Sequence, residues 1–238
     1  MEGRTLEKVL GAGLTGLGIP FSEETLALFR RYYTLLEDKN RQMNLTAISG
    51  EAETARLHFL DCAAILPLLP SGPVALLDVG SGAGFPGLVL KLLRPELSVT
   101  LLDSQKKRVL FLQEVCDALS LKDVSCLALR AEEAPPAMRE RYNVVVSRAV
   151  ARLNILAELC LPFVRQGGLF LSMKGPAAAE ELDECRKAFR FLGGGNAALI
   201  SCPVPGLDAG RWVVHVEKTG PTPAAYPRRF SQIKKQPL

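Results

Sequence analysis

Two spacings of apolar residues divide the chain. Between Ser22 and Lys39, Leu26, Phe29, Tyr33 and Leu36 recur every three or four positions, which predicts an amphipathic helix. Ser22 is its N-cap, with Glu23 and Glu24 in the first turn. A second helical stretch is predicted over Glu51–Leu69, after the loop "NRQMNLTAISG". Pro70-Ser71-Gly72-Pro73 then reads as a linker. Beyond it the pattern changes to short apolar runs without polar alternation, "VALLDV", "SVTLLD", "VSCLAL" and "YNVVVS", as expected of strands buried on both faces of a parallel sheet. Helices are predicted between them at Pro86–Leu93 and Lys106–Leu119, with an irregular stretch at Glu132–Arg141. Helix Leu153–Val164, strand "GLFLSM", helix Ala177–Leu192, and strands "AALISCPV" and "WVVHVEK" follow. Only "PGLDAGR" separates the last two strands, room for a hairpin and not for a crossover. The expected fold is α/β: a mostly parallel seven-stranded sheet with an antiparallel last strand and a small N-terminal helical extension. The organisation is residues 1–72 as a substrate-facing helical unit, 73–218 as the sheet domain, and 219–238 as a tail.

Charge adds one point. The formal net charge of +4 lies in the tail, where Arg228, Arg229, Lys234 and Lys235 stand without an acid, leaving 25 basic and 25 acidic residues elsewhere. Paired with Phe230, these cations suit contact with phosphates and stacking on bases. No run of 18 uncharged apolar residues occurs and the first ten residues mix acids with bases, so a cytoplasmic protein without membrane contact, acting as a monomer, is expected. Six dispersed cysteines without a C-x-x-C, and two histidines, predict buried thiols and no metal site. His58 and Asp61, at i and i+3, read as a hydrogen-bonded structural pair.

The candidate chemistry sits in "LLDVGSGAGFPG". Gly80, Gly82 and Gly84 follow a strand directly, where backbone turns sharply and a ligand approaches closely. Pro86 fits the first helical turn. Gly82, Gly84 and Gly87 also satisfy G-x-G-x-x-G, and Asp103, which ends the next strand, suits the ribose of either NAD or S-adenosylmethionine. Glycines alone therefore leave an NAD-dependent oxidoreductase open. Asp78 separates the two, since a carboxylate there repels pyrophosphate and attracts a cationic sulfonium. An oxidoreductase also needs a proton donor at the pocket, and neither histidine falls near a predicted strand end facing it.

The chain resembles the small-subunit rRNA guanine-N7 methyltransferase family, RsmG or GidB. The matching stretches are "MNLTAI", "HFLDC", "LLDVGSGAGFPG", "LLDSQKKRV", "RAEE", "SRAVARL", "MKG" and the closing "YPRR". The resemblance implies a class I Rossmann-like methyltransferase that uses S-adenosylmethionine, releases S-adenosylhomocysteine, and methylates N7 of guanine 527 in the 16S rRNA of the 30S subunit. It also implies donor contacts from Gly80, Phe85, Ala131, Glu132 and Arg148. Cys62 stands where the family commonly carries serine, a change expected to loosen an RNA contact. A non-catalytic RNA-binding assembly factor that keeps the fold is the second reading.

Guanine N7 is an unprotonated lone pair, so transfer to it needs positioning and no general base. Ser147-Arg148-Ala149 after the fourth strand agrees, with neither an amino-methylating Pro-Pro-Tyr nor a nucleophilic cysteine. Arg148 is expected to orient the donor carboxylate or the target base. Lys106 and Lys107, with Arg108, place cations in a first helical turn against the macrodipole, which marks them, together with Asn44 of "NLT", as candidate RNA contacts.

Overall fold

The computed structural model describes residues 4–238. Seven strands form one sheet in the order β3-β2-β1-β4-β5-β7-β6: β1 (Ala75–Val79), β2 (Ser98–Asp103), β3 (Val124–Ala128), β4 (Tyr142–Arg148), β5 (Val164–Lys174), β6 (Gly194–Ser201) and β7 (Trp212–Lys218). The first five run parallel; β7 inserts antiparallel between β5 and β6, the hairpin that the short connection required. Helices α5 (Gly87–Leu93) and α6 (Lys106–Ala118) cover one face, and α7 (Leu153–Cys160) and α8 (Ala178–Phe191) the other.

Helix α2 (Glu23–Met43) begins in a capping box, with Ser22 Oγ accepting from the Thr25 backbone N–H. It ends at Asn44, which adopts a left-handed conformation at φ 50°. An additional helix, α1 (Thr5–Gly16), is hidden in the sequence by Gly11, Gly13 and Gly16, each a weak helix former. Gly13 has a packing reason, because a Cβ there would strike the Leu60 side chain. The predicted helix Glu51–Leu69 is broken. α3 (Glu51–Thr54) widens into a π-helical segment, Ala55–Leu60, returns as α4 (Asp61–Ala63), and closes in a 3₁₀ turn, Leu66–Leu68. Likewise Leu161–Phe163 is 3₁₀ and Val164 already belongs to β5, and Pro86 caps α5 instead of opening it.

The N-terminal helices are not a separate body. Leu6, Leu10, Phe29, Tyr32 and Phe59 join Leu76, Val99, Leu101 and Phe111 in one apolar core. Arg30 ties α1, α2 and α3 together through Glu7 and Glu51, each at 2.6 Å, and these bonds hold both carboxyls below the usual carboxylate range. The tail is docked as well. Arg139 donates to the carbonyls of Thr222, Pro223 and Tyr226, Arg228 grips the fully buried Glu158 at 2.6 Å, and α9 (Phe230–Lys235) buries Ile233.

Candidate functional site

The carboxyl ends of the parallel strands carry a row of three cavities, the edge at which open α/β sheets bind ligands. The glycine loop is shaped by backbone that only glycine adopts readily: φ is 77° at Gly80, 58° at Gly82 and 106° at Gly84. Their roles differ. A Cβ on Gly84 would collide with Tyr32 and Leu88, whereas one on Gly82 would meet nothing closer than 4.0 Å, the carbonyl oxygen of Gly80. Gly84 therefore serves internal packing, and Gly82 leaves a free cradle. Tyr32 of α2 locks the loop from behind by donating its hydroxyl to the Ala83 carbonyl.

Asp103 is 4% exposed at the end of β2. It receives the Gly82 N–H on Oδ2 (3.0 Å) and the Gln105 N–H on Oδ1 (2.8 Å), with Arg108 at 3.6 Å. Each oxygen keeps a lone pair for a further donor. Around it lies a cavity of about 250 Å³ lined by Gly80, Asp103, Arg108, Ala131, Glu132 and Val150, with Phe230 closing one side. Lys106 and Lys107 stay exposed on the outer side of α6 while Arg108 turns inward. A first-turn cation that opposes the macrodipole is thus explained by the carboxylate beside it.

Asp78 lies elsewhere than the sequence reading places it. It is fully buried beneath the loop, lines none of the three cavities, and accepts the Gly87 N–H at 2.8 Å. Its Oδ1 has no partner, and burial pushes its pKa up to about 7, so it is no dependable anion for a sulfonium. The discrimination against pyrophosphate survives by another route. A dinucleotide phosphate uses the N–H groups at this helix start, and Asp78 already occupies one of them.

A second cavity, about 210 Å³, lies over the loop between Leu45, Thr46, His58, Gly80, Gly82, Phe85, Arg108 and Arg148. Here Arg148 is clamped from the N-terminal side. It donates to the Leu57 carbonyl (3.0 Å), Asp61 Oδ2 (2.9 Å) and His58 Nδ1 (2.8 Å), and lies 5.1 Å from the centre of the Phe85 ring, on which His58 stacks at 4.3 Å. His58 and Asp61 are therefore not bonded to each other; the widened π turn brings both onto Arg148. Three of the five guanidinium N–H donors are used, leaving two for the cavities it lines. Because Nδ1 accepts, Nε2 carries the ring proton and donates to Thr46 Oγ1 at 2.8 Å. That oxygen also accepts the Ile48 N–H, so its own hydroxyl proton is free to donate. Asn44 serves as the left-handed end of α2, and Cys62 is fully buried, out of reach of RNA.

His58 does face the pocket, contrary to the sequence reading, yet it is no acid or base at neutral pH. Burial, with the Arg148 charge, pushes its pKa down to about 3 from the usual 6.5. In an unfolded chain His58 takes a proton below pH 6.5 but in the fold it does not, so its contribution to stability falls as pH drops from 6.5 toward 3. Asp78, raised, acts with the opposite sign over much of this range. The difference in unfolding free energy between the parent and His58→Gln is therefore expected to shrink by about 1.4 kcal/mol per pH unit below 6.5, read from denaturant titrations at several pH values. A difference that does not change with pH would place a proton on His58 in the fold.

The third cavity, about 380 Å³, continues beyond Arg148 among Ile48, Asp61, Met173, Lys174, Arg211 and Trp212. Cys202 also lines it, but burial raises its thiol pKa, which disfavours the nucleophilic thiolate. Ala149, left-handed at φ 55° without being glycine, borders all three spaces; strained backbone of this kind concentrates at working sites. Of the tail cations, Arg228 is consumed by Glu158, while Arg229, Lys234 and Lys235 remain exposed. Arg108, His58, Thr46, Arg211, Trp212 and Phe230 are site-lining residues that the motif reading did not assign to the pocket. No group of three metal-ligating side chains occurs among the described residues, and no helix among them is long and apolar enough to cross a membrane.

This strand order, with its antiparallel β7 and a glycine loop facing a strand-end acid, defines the nucleotide-fold methyltransferase class. A predicted O-methyltransferase from Agrobacterium tumefaciens has the same fold, with TM-score 0.52 and 19% identity over 70% of this chain and 81% of that one. So does TYW2 of P. horikoshii, a structure in complex with MeSAdo, with TM-score 0.54 and 11% identity over 67% of this chain and 62% of that one. The particular family follows from sequence: residues 25–204 match the GidB model, rRNA small subunit methyltransferase G, and the chain belongs to this family. Relatives named ribosomal RNA small subunit methyltransferase G include one from Acetivibrio thermocellus, 43% identical over 98% of this chain and 97% of its own. Another, from Geobacillus thermodenitrificans, is 44% identical over 93% of this chain and 94% of its own.

Proposed function

We propose that the protein transfers a methyl group from S-adenosylmethionine to N7 of guanine 527 in 16S rRNA. The observation that carries the reading is the free cradle over Gly82 beside the buried Asp103 carboxylate, with Ala149 bordering both that space and a cavity large enough for a second molecule. The residues fit the donor. Asp103 is suited to accept from ribose hydroxyls, Ala131, Glu132 and Phe230 to enclose the purine, and Thr46 with Arg148 to donate to a carboxylate. When bound, the donor supplies a methyl group made electrophilic by its positive sulfur.

The chain's own part is positional. Arg148, Asp61 and His58 fix the wall between the two ligand spaces, and Phe85 gives that wall a flat apolar face. No side chain in the row is poised as a base, which agrees with a nucleophile that carries no proton. The N-terminal region contributes Leu45 and Thr46 from the loop after α2 and His58 from the π-helical segment, so the site is complete only when this region is docked.

Tritiated methyl transfer to 30S subunits and to naked rRNA from cells lacking the gene, followed by mapping of the modified position, tests the proposal. Label at one guanine, released by N7-directed cleavage, is the expected result. A donor-binding chain that leaves the guanine unchanged would favour the assembly factor.

The RNA-facing residues of the reading are Asn44, Lys106, Lys107, Arg229, Lys234 and Lys235. Lys234→Ala with Lys235→Ala is expected to lower rRNA affinity and to reduce the slope of log K against log salt by about 1 to 2, as loss of two phosphate contacts does. Affinity for S-adenosylmethionine should not change, which calorimetry checks. Equal loss of both affinities would make the two lysines structural.

A further inference from the structure

We propose that the cavity between the ends of β4 and β5, the start of β7 and the π-helical segment receives a single purine extruded from the RNA. The Asp61–Arg211 pair then identifies it as guanine. The proposal rests on the RNA methyl-transfer reading and adds the place and the chemistry of base selection.

The walls suit a flat ring. Trp212, Met173, Ile48 and Val213 provide apolar surface in a space of about 380 Å³. Trp212 opens β7 and pairs with Lys174, one residue from Met173 on the neighbouring strand, so both belong to rigid sheet and not to a loop. An enzyme that modifies a base takes it out of the stack and holds it between aromatic or apolar side chains. The cavity also lies where such a base is needed, since it shares Arg148, His58 and Ala149 with the space over the glycine loop.

The polar groups are arranged for one base. Asp61, 7% exposed, accepts Arg211 Nε on Oδ1 at 2.8 Å and Arg148 Nη1 on Oδ2 at 2.9 Å. Each carboxylate oxygen keeps acceptor capacity, and both Nη groups of Arg211 have no side-chain partner among the described residues. A carboxylate and a guanidinium thus stand side by side. Guanine offers the complement, with O6 as acceptor and N1–H and N2–H₂ as donors. Adenine reverses the pattern, turning an amino group toward the cation and a lone pair toward the carboxylate. Asp61 and Arg211 line this cavity alone, whereas Ala149 and His58 border the loop space too. Holding the Watson–Crick edge at the ion pair leaves the adjacent Hoogsteen edge, which carries N7, free to face the space over the glycine loop.

The chain has one tryptophan, which makes Trp212 a direct reporter. In protein saturated with S-adenosylhomocysteine, GMP is expected to quench its fluorescence at lower concentration than AMP, and Arg211→Gln should remove that preference. Trp212→Ala should slow single-turnover methylation of rRNA roughly 5- to 150-fold, the range expected for loss of one base–aromatic stack. Its S-adenosylhomocysteine Kd should be unchanged, and Trp212→Phe should restore most of the rate. Equal quenching by GMP and AMP, no quenching, or a parent-like rate in Trp212→Ala would overturn the proposal. So would loss of donor affinity in Trp212→Ala while Trp212→Phe binds donor normally. Selective quenching by GMP in a parent protein that methylates no rRNA would uphold the cavity and refute the methyl-transfer reading instead.

Discussion

Arg148→Ala is expected to lower the unfolding free energy by about 3–5 kcal/mol, the cost of breaking a buried ion pair from one side. Among the described residues, the guanidinium alone bonds β4 to Leu57, His58 and Asp61 at once. Its removal leaves Asp61, 7% exposed, facing Arg211 alone and leaves the Nδ1 lone pair of His58 unpaired in a site only 6% exposed. A denaturant midpoint that falls without a change in slope would show this loss. Arg148→Lys should recover little, because one ammonium cannot reproduce a planar fork reaching three acceptors. A cycle with Asp61→Asn should give strongly non-additive effects, since the two residues share one network. Methyl transfer should fall further than stability does, as the same clamp forms the wall between donor and base spaces. An Arg148→Ala protein within about 0.5 kcal/mol of the parent would mean that the N-terminal helices are held by apolar packing alone.

Gly82→Val is expected to reduce affinity for S-adenosylmethionine by at least about a hundredfold, about 2.7 kcal/mol. The fold should lose far less, about 1–2 kcal/mol, the cost of placing an L-residue at a left-handed φ. This imbalance follows from where the new side chain points. The Cβ of residue 82 enters open space over the loop, 4.0 Å from the nearest protein atom beyond its chain neighbours, so it collides only with a ligand. Gly84→Ala should behave in the opposite manner, losing stability first, because its Cβ would run into Tyr32 and Leu88. Calorimetric binding and thermal melts of the two variants side by side separate the roles. Unchanged donor affinity in Gly82→Val would remove the loop from the binding site.

The central parallel strands were legible because residues buried on both faces produce unbroken apolar runs; β3 has the same kind of run but sits at the sheet edge with no residue fully buried. The stripe of α2 was legible from its helical period, although the structure buries Tyr32 and leaves Tyr33 only partly covered. Helix α1 was not, since three glycines weaken its signal and the close approach of Gly13 to Leu60 is invisible along the chain. The π segment was equally hidden: His58 and Asp61 have ordinary helical spacing, and only the widened turn shows that they meet Arg148 and not each other. Among site residues, Gly80, Gly82 and Asp103 lie where strand-end logic puts them. Asp78 was misjudged because adjacency to the loop in sequence does not tell whether a carboxylate points into the pocket or under it.

The sequence by itself determined the sheet, its antiparallel last hairpin, the glycine loop and the family, because each depends on local periodicity or on contiguous motifs. Tertiary structure alone decided which cations are free and which carboxylates are available. Arg228, read as an RNA contact, is held by Glu158, 70 positions earlier in the chain, and Arg211 meets Asp61 across 150 positions. Charge in a sequence is only a count; burial and the partner reached through folding decide whether it binds a ligand or holds the protein together.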